Sequence, residues 1–302
     1  MERAYPRVIL GCGNFGGVGS APALFGQGDT LEQAFELMDA AWEAGLTWFD
    51  TADAYGGGRS ETFIGEWIRA RRPDGLRLTT KTFNPMDEGS DYGLAPARVR
   101  RQIETSLARL GVERVDLYLA HAWDPDVPVA ETAGAFEELV AEGKVGAYGV
   151  SNVDGSQLRE ALAAGSFAAV QNSYSLLDRE VEEEILPLCA ENGVWFQVHS
   201  PLMGGWLTGK YRRGDAAPEG SRMTLRPGPY EHLRSDRTFD GLEELERRGD
   251  PATLALAWLL ADDRVSVVIG PRRPDQLVPA LAALENPLST AELDELAALF
   301  QR

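Results

Sequence analysis

Eight short β-rich runs, each followed by an amphipathic stretch, succeed one another from end to end of this chain, and that alternation limits the fold more than any other feature. The runs lie near 7–12, 46–50, 77–81, 115–120, 145–151, 168–172, 194–199 and 265–269, and they carry the β-branched and aromatic residues of strands. Helical spacing fills the intervals near 30–44, 58–71, 96–110, 129–142, 155–164, 178–191, 251–261 and 274–284. In the first of these, Leu31, Ala34, Phe35, Met38, Ala41 and Trp42 share one face. Thr30 and Ser156 stand where helix caps are expected. Strands joined through helices run parallel. Eight such units in 302 residues, 44% hydrophobic and without a Pro/Gly/Ser-rich linker, predict an α/β fold of one kind: a (β/α)8 TIM barrel, a single domain over 1–302.

The rhythm breaks in a long loop at about 203–250, which holds Gly204, Gly205, Trp206 and a Pro227-Gly228-Pro229 turn before a helix near 236–247. Its length marks it as a lid. Gly11, Gly13 and Gly16 spell G-x-G-x-x-G after the first run, but no acidic ribose reader closes the second unit, so a Rossmann site is not expected. The net charge of -18 repels polyanions and argues against nucleic acid or anionic membrane as partner. No apolar run approaches the roughly 20 residues that span a bilayer, and the amino terminus lacks a signal-peptide pattern. Cys12 and Cys189 form no C-x-x-C pair and no metal-ligand cluster, so reduced thiols, a cytoplasmic location and no metal are expected.

Chemistry gathers at the strand ends, where a parallel barrel forms its mouth. Asp50 closes the second run, Tyr55 follows five residues later, Lys81 closes the third and His121 the fourth. Lys81 is one of only three lysines in an arginine-rich chain, and an ammonium has an adjustable pKa that guanidinium lacks. A phenol with a pKa of about 10 is a weak acid near neutrality. A neighbouring ammonium lowers that pKa, a buried carboxylate holds the ammonium in place, and an imidazole shares the charge growing on a substrate oxygen. Taken one at a time, Asp50 and Asp53 also fit turn caps, Tyr55 a packing ring, Lys81 a strand-end cation and His121 a core histidine. Their joint placement on consecutive strand ends favours a catalytic set.

The segment WFDTADAYGGGRSE resembles the aldo-keto reductase superfamily, and the likeness extends over nearly the whole chain. The resemblance implies a catalytic tetrad at Asp50, Tyr55, Lys81 and His121. It implies a nicotinamide cofactor, NADPH with NADH possible, bound in extended form. GVSN and VQNSYSLLDR place Ser151, Asn152 and Gln171 on the carboxamide; HSPLMGGWLTGKY places His199, Ser200, Leu202 and Gly204 along the nicotinamide and diphosphate; VVIGPRRPDQL places Gly270, Arg272 and Gln276 at the adenosine end. Gly13 and Asn14 join the cofactor set after the first strand. His199 departs from the family's usual stacking Tyr or Trp, and a floor-plugging amino-terminal hairpin is missing.

The expected function is therefore reduction of a small-molecule carbonyl (aldehyde, ketone or sugar) to an alcohol, with Tyr55 as general acid. Phe15, Trp123 and Trp206 stand on loops above the strands as candidate substrate-lining residues. Two rivals stay open: a nucleotide-sensing, non-catalytic subunit, and a lyase that uses Lys81 as a Schiff-base amine.

Overall fold

The computed structural model describes residues 5–86, 89 and 91–300. Eight parallel strands, β1 Val8–Gly11, β2 Trp48–Asp50, β3 Arg77–Thr82, β4 Val115–Ala120, β5 Val145–Ser151, β6 Ala169–Ser173, β7 Trp195–His199 and β8 Val265–Ile269, form a closed barrel in sequence order. Closure is made by β1 against β8, with Val8 opposite Val267 and Leu10 opposite Ile269. Every residue of β1 and of β8 is buried, as expected of parallel strands covered on both faces. The helices are α1 Leu31–Glu43, α2 Arg59–Arg71, α3 Pro96–Leu110, α4 Val129–Ala141, α5 Gly155–Ala164, α6 Ile185–Asn192, α7 Arg222–Leu225, α8 Asp236–Arg248, α9 Pro251–Leu259, α10 Val278–Glu285 and α11 Thr290–Ala298.

The barrel is plugged from within at its amino-terminal end. Ile9, Trp48, Leu117, Leu119, Ala169, Trp195 and Val268 form an interior cluster separate from the larger core between strands and helices. Trp48 donates its indole N–H to Thr79 Oγ1 at 2.8 Å and Trp195 donates to Ser266 Oγ at 2.7 Å, so neither ring buries an unpaired donor. The two rings meet edge to face at 5.1 Å, and Tyr5 stacks on Trp195 from below at 4.0 Å. Two tryptophans thus fill the floor, and no hairpin precedes β1 among the described residues.

Strand and helix bounds fall within two residues of the sequence expectation, with instructive exceptions. The cap of α5 is Asp154, not Ser156: Asp154 is extended and accepts from Gln157 N, while Gln157 returns a bond to the Asp154 N–H. Ser156 lies inside the first turn and donates to Asp154 Oδ1 at 2.7 Å. The stretches 178–191 and 274–284 each open with a 3-10 turn, at Glu180–Glu182 and Pro274–Leu277, before α6 and α10. The long segment after β7 is largely folded, carrying 3-10 turns at Met203–Thr208 and Gly228–Leu233 besides α7 and α8.

Candidate active site

Asp50, Tyr55, Lys81 and His121 meet inside the carboxyl-terminal mouth of the barrel. Adjacent strands bring the first three together: β2 pairs with β3, and the N–H of Asp53 donates to Lys81 O at 3.0 Å. Lys81 is wholly buried, and its ammonium donates to Asp50 Oδ1 at 2.5 Å, to Thr51 O at 2.9 Å and to the Tyr55 hydroxyl at 3.4 Å. The Tyr55 hydroxyl also lies 3.4 Å from His121 Nε2. Three glycines explain the tight turn after Tyr55. Gly56, Gly57 and Gly58 all have positive φ, and a Cβ on Gly56 would stand 2.6 Å from Phe15 O.

The electrostatics of this set differ from the simple expectation at one point. Burial raises the Tyr55 phenol above its ordinary value; the Lys81 ammonium pulls it down, and burial wins. Burial alone would lower Lys81, but Asp50 and Tyr55 carry it above its usual value. Burial, then the charge of Lys81, hold the His121 imidazole well below its usual value. At neutral pH the mouth holds a protonated phenol, an ammonium and a neutral imidazole.

Beside the tetrad, polar side chains from β5, β6 and β7 form a connected chain. Asn152 donates to His121 O at 2.8 Å and to Ser151 Oγ at 3.0 Å, Ser151 Oγ donates to Gln171 O at 2.7 Å, and His199 Nε2 lies 2.8 Å from Asn152 Oδ1. His199 Nδ1 meets Ser200 Oγ at 3.1 Å. Asn152 and Ser200 both sit in the left-handed region, φ 56° and 54°, a strained conformation held where two strands end at the mouth. Gln171 turns its amide nitrogen inward, to Asp50 Oδ2 at 2.8 Å and Gln197 Oε1 at 2.7 Å.

A second cluster joins the loop after β1, the segment after β7 and the loop after β8. Arg222 donates to Asn14 Oδ1 at 2.6 Å, Asn14 Nδ2 reaches Gly270 O at 3.4 Å, and Gln276 accepts from the N–H of Arg272 at 2.7 Å. Arg272 pairs with the buried Asp29 at 2.9 Å. Lys210 and Arg222 make no ion pair within 4.0 Å among the described residues, and Lys210 is lowered by burial and then by Arg222 and Arg272. Three mutually repelling cations with a single carboxylate, in a chain of net charge -18, fit a bound polyanion such as a dinucleotide diphosphate. Leu202 and Gly204 line the same segment, with Gly204 at φ 61° and a Cβ there blocked by the Tyr230 ring at 2.6 Å.

The model of the aldo/keto reductase family matches residues 7–301. The chain belongs to that family. Among curated relatives, it is 34% identical to the NADH-specific methylglyoxal reductase of Escherichia coli, over 91% of this chain and 89% of that one. Among solved structures, the glycerol dehydrogenase of Gluconobacter oxydans superposes with a TM-score of 0.84 at 25% identity, covering 99% of this chain and 92% of that one. An aldo/keto reductase of Klebsiella pneumoniae in complex with NADP and acetate superposes at 0.72 with 30% identity, covering 98% and 91%.

For an aldo-keto reductase of this sequence, two of the three candidate substrate-lining aromatics are core residues instead. Phe15 is 0% and Trp206 1% exposed; Trp206 packs between Tyr211 and Phe239, so neither ring offers a surface to a substrate. The reason is that the loop after β1 and the segment after β7 fold back on the barrel instead of standing above it. Trp123 remains half-buried. Sequence reasoning missed Asn84, whose amide nitrogen lies 3.1 Å from His121 Nδ1, as well as Gln197, Asp29, Lys210 and Arg222. The lone lysine and arginines of the long segment were the available signal; Asn84 sits in an irregular loop that gave none. A cavity of about 310 Å³ lies at the opposite end, among Tyr5, Arg7, Cys189, Trp195 and Arg264. Its charged side chains are taken up in the ion pairs Arg7–Asp263 and Arg264–Asp262, so the mouth is the candidate site.

Proposed function

We propose that this aldo-keto reductase reduces the carbonyl of an aldehyde, ketone or sugar to an alcohol, with NADPH as preferred hydride donor and Tyr55 as general acid. The observation that carries this reading is the Tyr55 hydroxyl, 3.4 Å from both the Lys81 ammonium and His121 Nε2. A reduced nicotinamide, when bound, would supply the hydride for the carbonyl carbon. Tyr55 gives its O–H proton to the carbonyl oxygen as the C–O double bond becomes single, and the phenolate left behind is stabilised by Lys81. His121 donates to the same oxygen and shares its growing charge. Asp50 keeps Lys81 charged and aimed, and Gln171, itself bonded to Gln197, holds Asp50. Ser151, Asn152 and Gln171 would hold the carboxamide and His199 would face the nicotinamide ring, while Gly13, Asn14, Ser200, Leu202, Gly204, Lys210, Arg222, Gly270, Arg272 and Gln276 would hold the diphosphate and adenosine parts.

The pairing of Arg272 with Asp29 bears on cofactor choice, since a 2′-phosphate would have to share that guanidinium. We expect Arg272→Ala to weaken NADPH more than NADH in a fluorescence titration. The Schiff-base rival is disfavoured by Lys81 itself, which is buried, three-fold hydrogen-bonded and held charged, whereas an amine nucleophile must be neutral and accessible. A small-molecule substrate fits the chain's charge, which repels polyanions, and no helix among the described residues is long and apolar enough to cross a membrane. Tyr55→Phe decides the mechanism. Carbonyl reduction should fall by at least roughly 100-fold while the cofactor dissociation constant stays within about twofold; turnover near wild type would remove Tyr55 as the acid.

A further inference from the structure

We propose that Asn84 is a positioning residue that fixes the tautomer of His121, keeping Nδ1 free of a proton and leaving Nε2–H as the donor that faces the substrate oxygen. The inference rests on the reading of His121 as a donor in the mouth. Asn84 stands three residues beyond Lys81, in the loop that leaves β3, and its side-chain nitrogen lies 3.1 Å from His121 Nδ1. An amide nitrogen carries only protons, so the ring nitrogen it meets must present a lone pair. A neutral imidazole has a single N–H, and burial and Lys81 keep this ring neutral, so the proton resides on Nε2.

That placement has a consequence for Tyr55. Its oxygen already accepts from Lys81 at 3.4 Å and faces Nε2 at 3.4 Å. With Nε2 protonated, the phenol cannot spend its own proton on the imidazole, and both the phenol O–H and Nε2–H remain available to one carbonyl oxygen. In the other tautomer Nε2 becomes an acceptor, Tyr55 donates to it, and the mouth loses both donors at once.

Asn84 is itself held from behind. Arg98 of α3, 4% exposed, donates to Asn84 O at 2.9 Å, to Thr82 Oγ1 at 2.8 Å and to Gly93 O at 3.0 Å, stapling both ends of the loop. The ring is held from its own side, since His121 N donates to Thr82 O at 2.9 Å and Asn152 donates to His121 O at 2.8 Å. These bonds fix the two stretches of backbone from which the Asn84 amide and the His121 ring extend toward each other.

The chain has three histidines, His121, His199 and His232, so the test is direct. Long-range 1H–15N correlation spectra of the 15N-labelled protein, with His121 assigned through His121→Gln, should show Nδ1 unprotonated and Nε2 protonated. Asn84→Ala should give a mixture of tautomers and lower kcat by roughly 10- to 100-fold, with the NADPH dissociation constant moved by less than about twofold. Asn84→Asp, whose carboxylate only accepts, should place a proton on Nδ1. A wild-type spectrum with the proton on Nδ1 overturns the proposal, as does an Asn84→Ala spectrum identical to wild type. A mixed spectrum with unchanged kcat upholds the tautomer lock and instead overturns the donor role of His121.

Discussion

At the scale of single residues, the site is governed by what burial does to ionisable groups. Asp53, in the same motif as Tyr55, is wholly buried, and neither carboxylate oxygen has a hydrogen-bond partner of good geometry. Burial, and then the charge of Glu61, raise its pKa to about 7, against weaker opposing pulls from the Thr82 hydroxyl, Arg98 and the Ala54 N–H. Between the unfolded carboxyl value near 4 and this folded value, the native state holds a proton that the unfolded chain has released. Its contribution to stability is therefore greatest at low pH and is lost as pH rises toward 7. Asp53→Asn removes the dependence. In urea denaturation its stability relative to wild type should be higher at pH 8 than at pH 5, by on the order of 2 kcal/mol; equal differences at both pH values would show that Asp53 ionises normally.

At the scale of elements, strands and helices were legible because each carries its own periodicity, and the strand ends at Asp50, Lys81 and His121 could be read directly from where an apolar run stops. Loops were not. Phe15 and Trp206 look like exposed aromatics in sequence, yet Phe15 is buried by the return of its loop and Trp206 by Tyr211 and Phe239. Asn84 and Arg222 owe their importance to partners that lie 37 and 208 residues away, which no local pattern encodes. The segment between β7 and β8 packs into the core and is also tied to the loop after β1 by a side-chain bond. Arg222 of α7 reaches Asn14 across the mouth, while Arg212 and Arg213 lie exposed nearby and pair with α8. Arg222→Ala should accelerate tryptic cleavage at Arg212 and Arg213, read by mass spectrometry. Unchanged cleavage would mean that α7 is held by packing alone.

At the scale of the whole molecule, the barrel stands on its floor as much as on its sheet. Trp195 is 5% exposed, fills the interior against Trp48 and ties β7 to β8 through Ser266. Trp195→Ala should cost about 3–5 kcal/mol in denaturant unfolding, yet it should leave kcat of the folded enzyme near wild type, since the ring lies at the end opposite the tetrad. A comparable loss of kcat would show that floor and mouth are coupled. The sequence by itself determined the number of βα units, their order and the residue types at the strand ends, because hydrophobic period and capping act over a few neighbouring residues. Only the tertiary structure decided which polar groups meet, which aromatics are left facing the mouth and which carboxylates are starved of water. Those outcomes depend on barrel closure, which places side chains distant in the chain within hydrogen-bond reach and sets the burial that shifts their proton affinities.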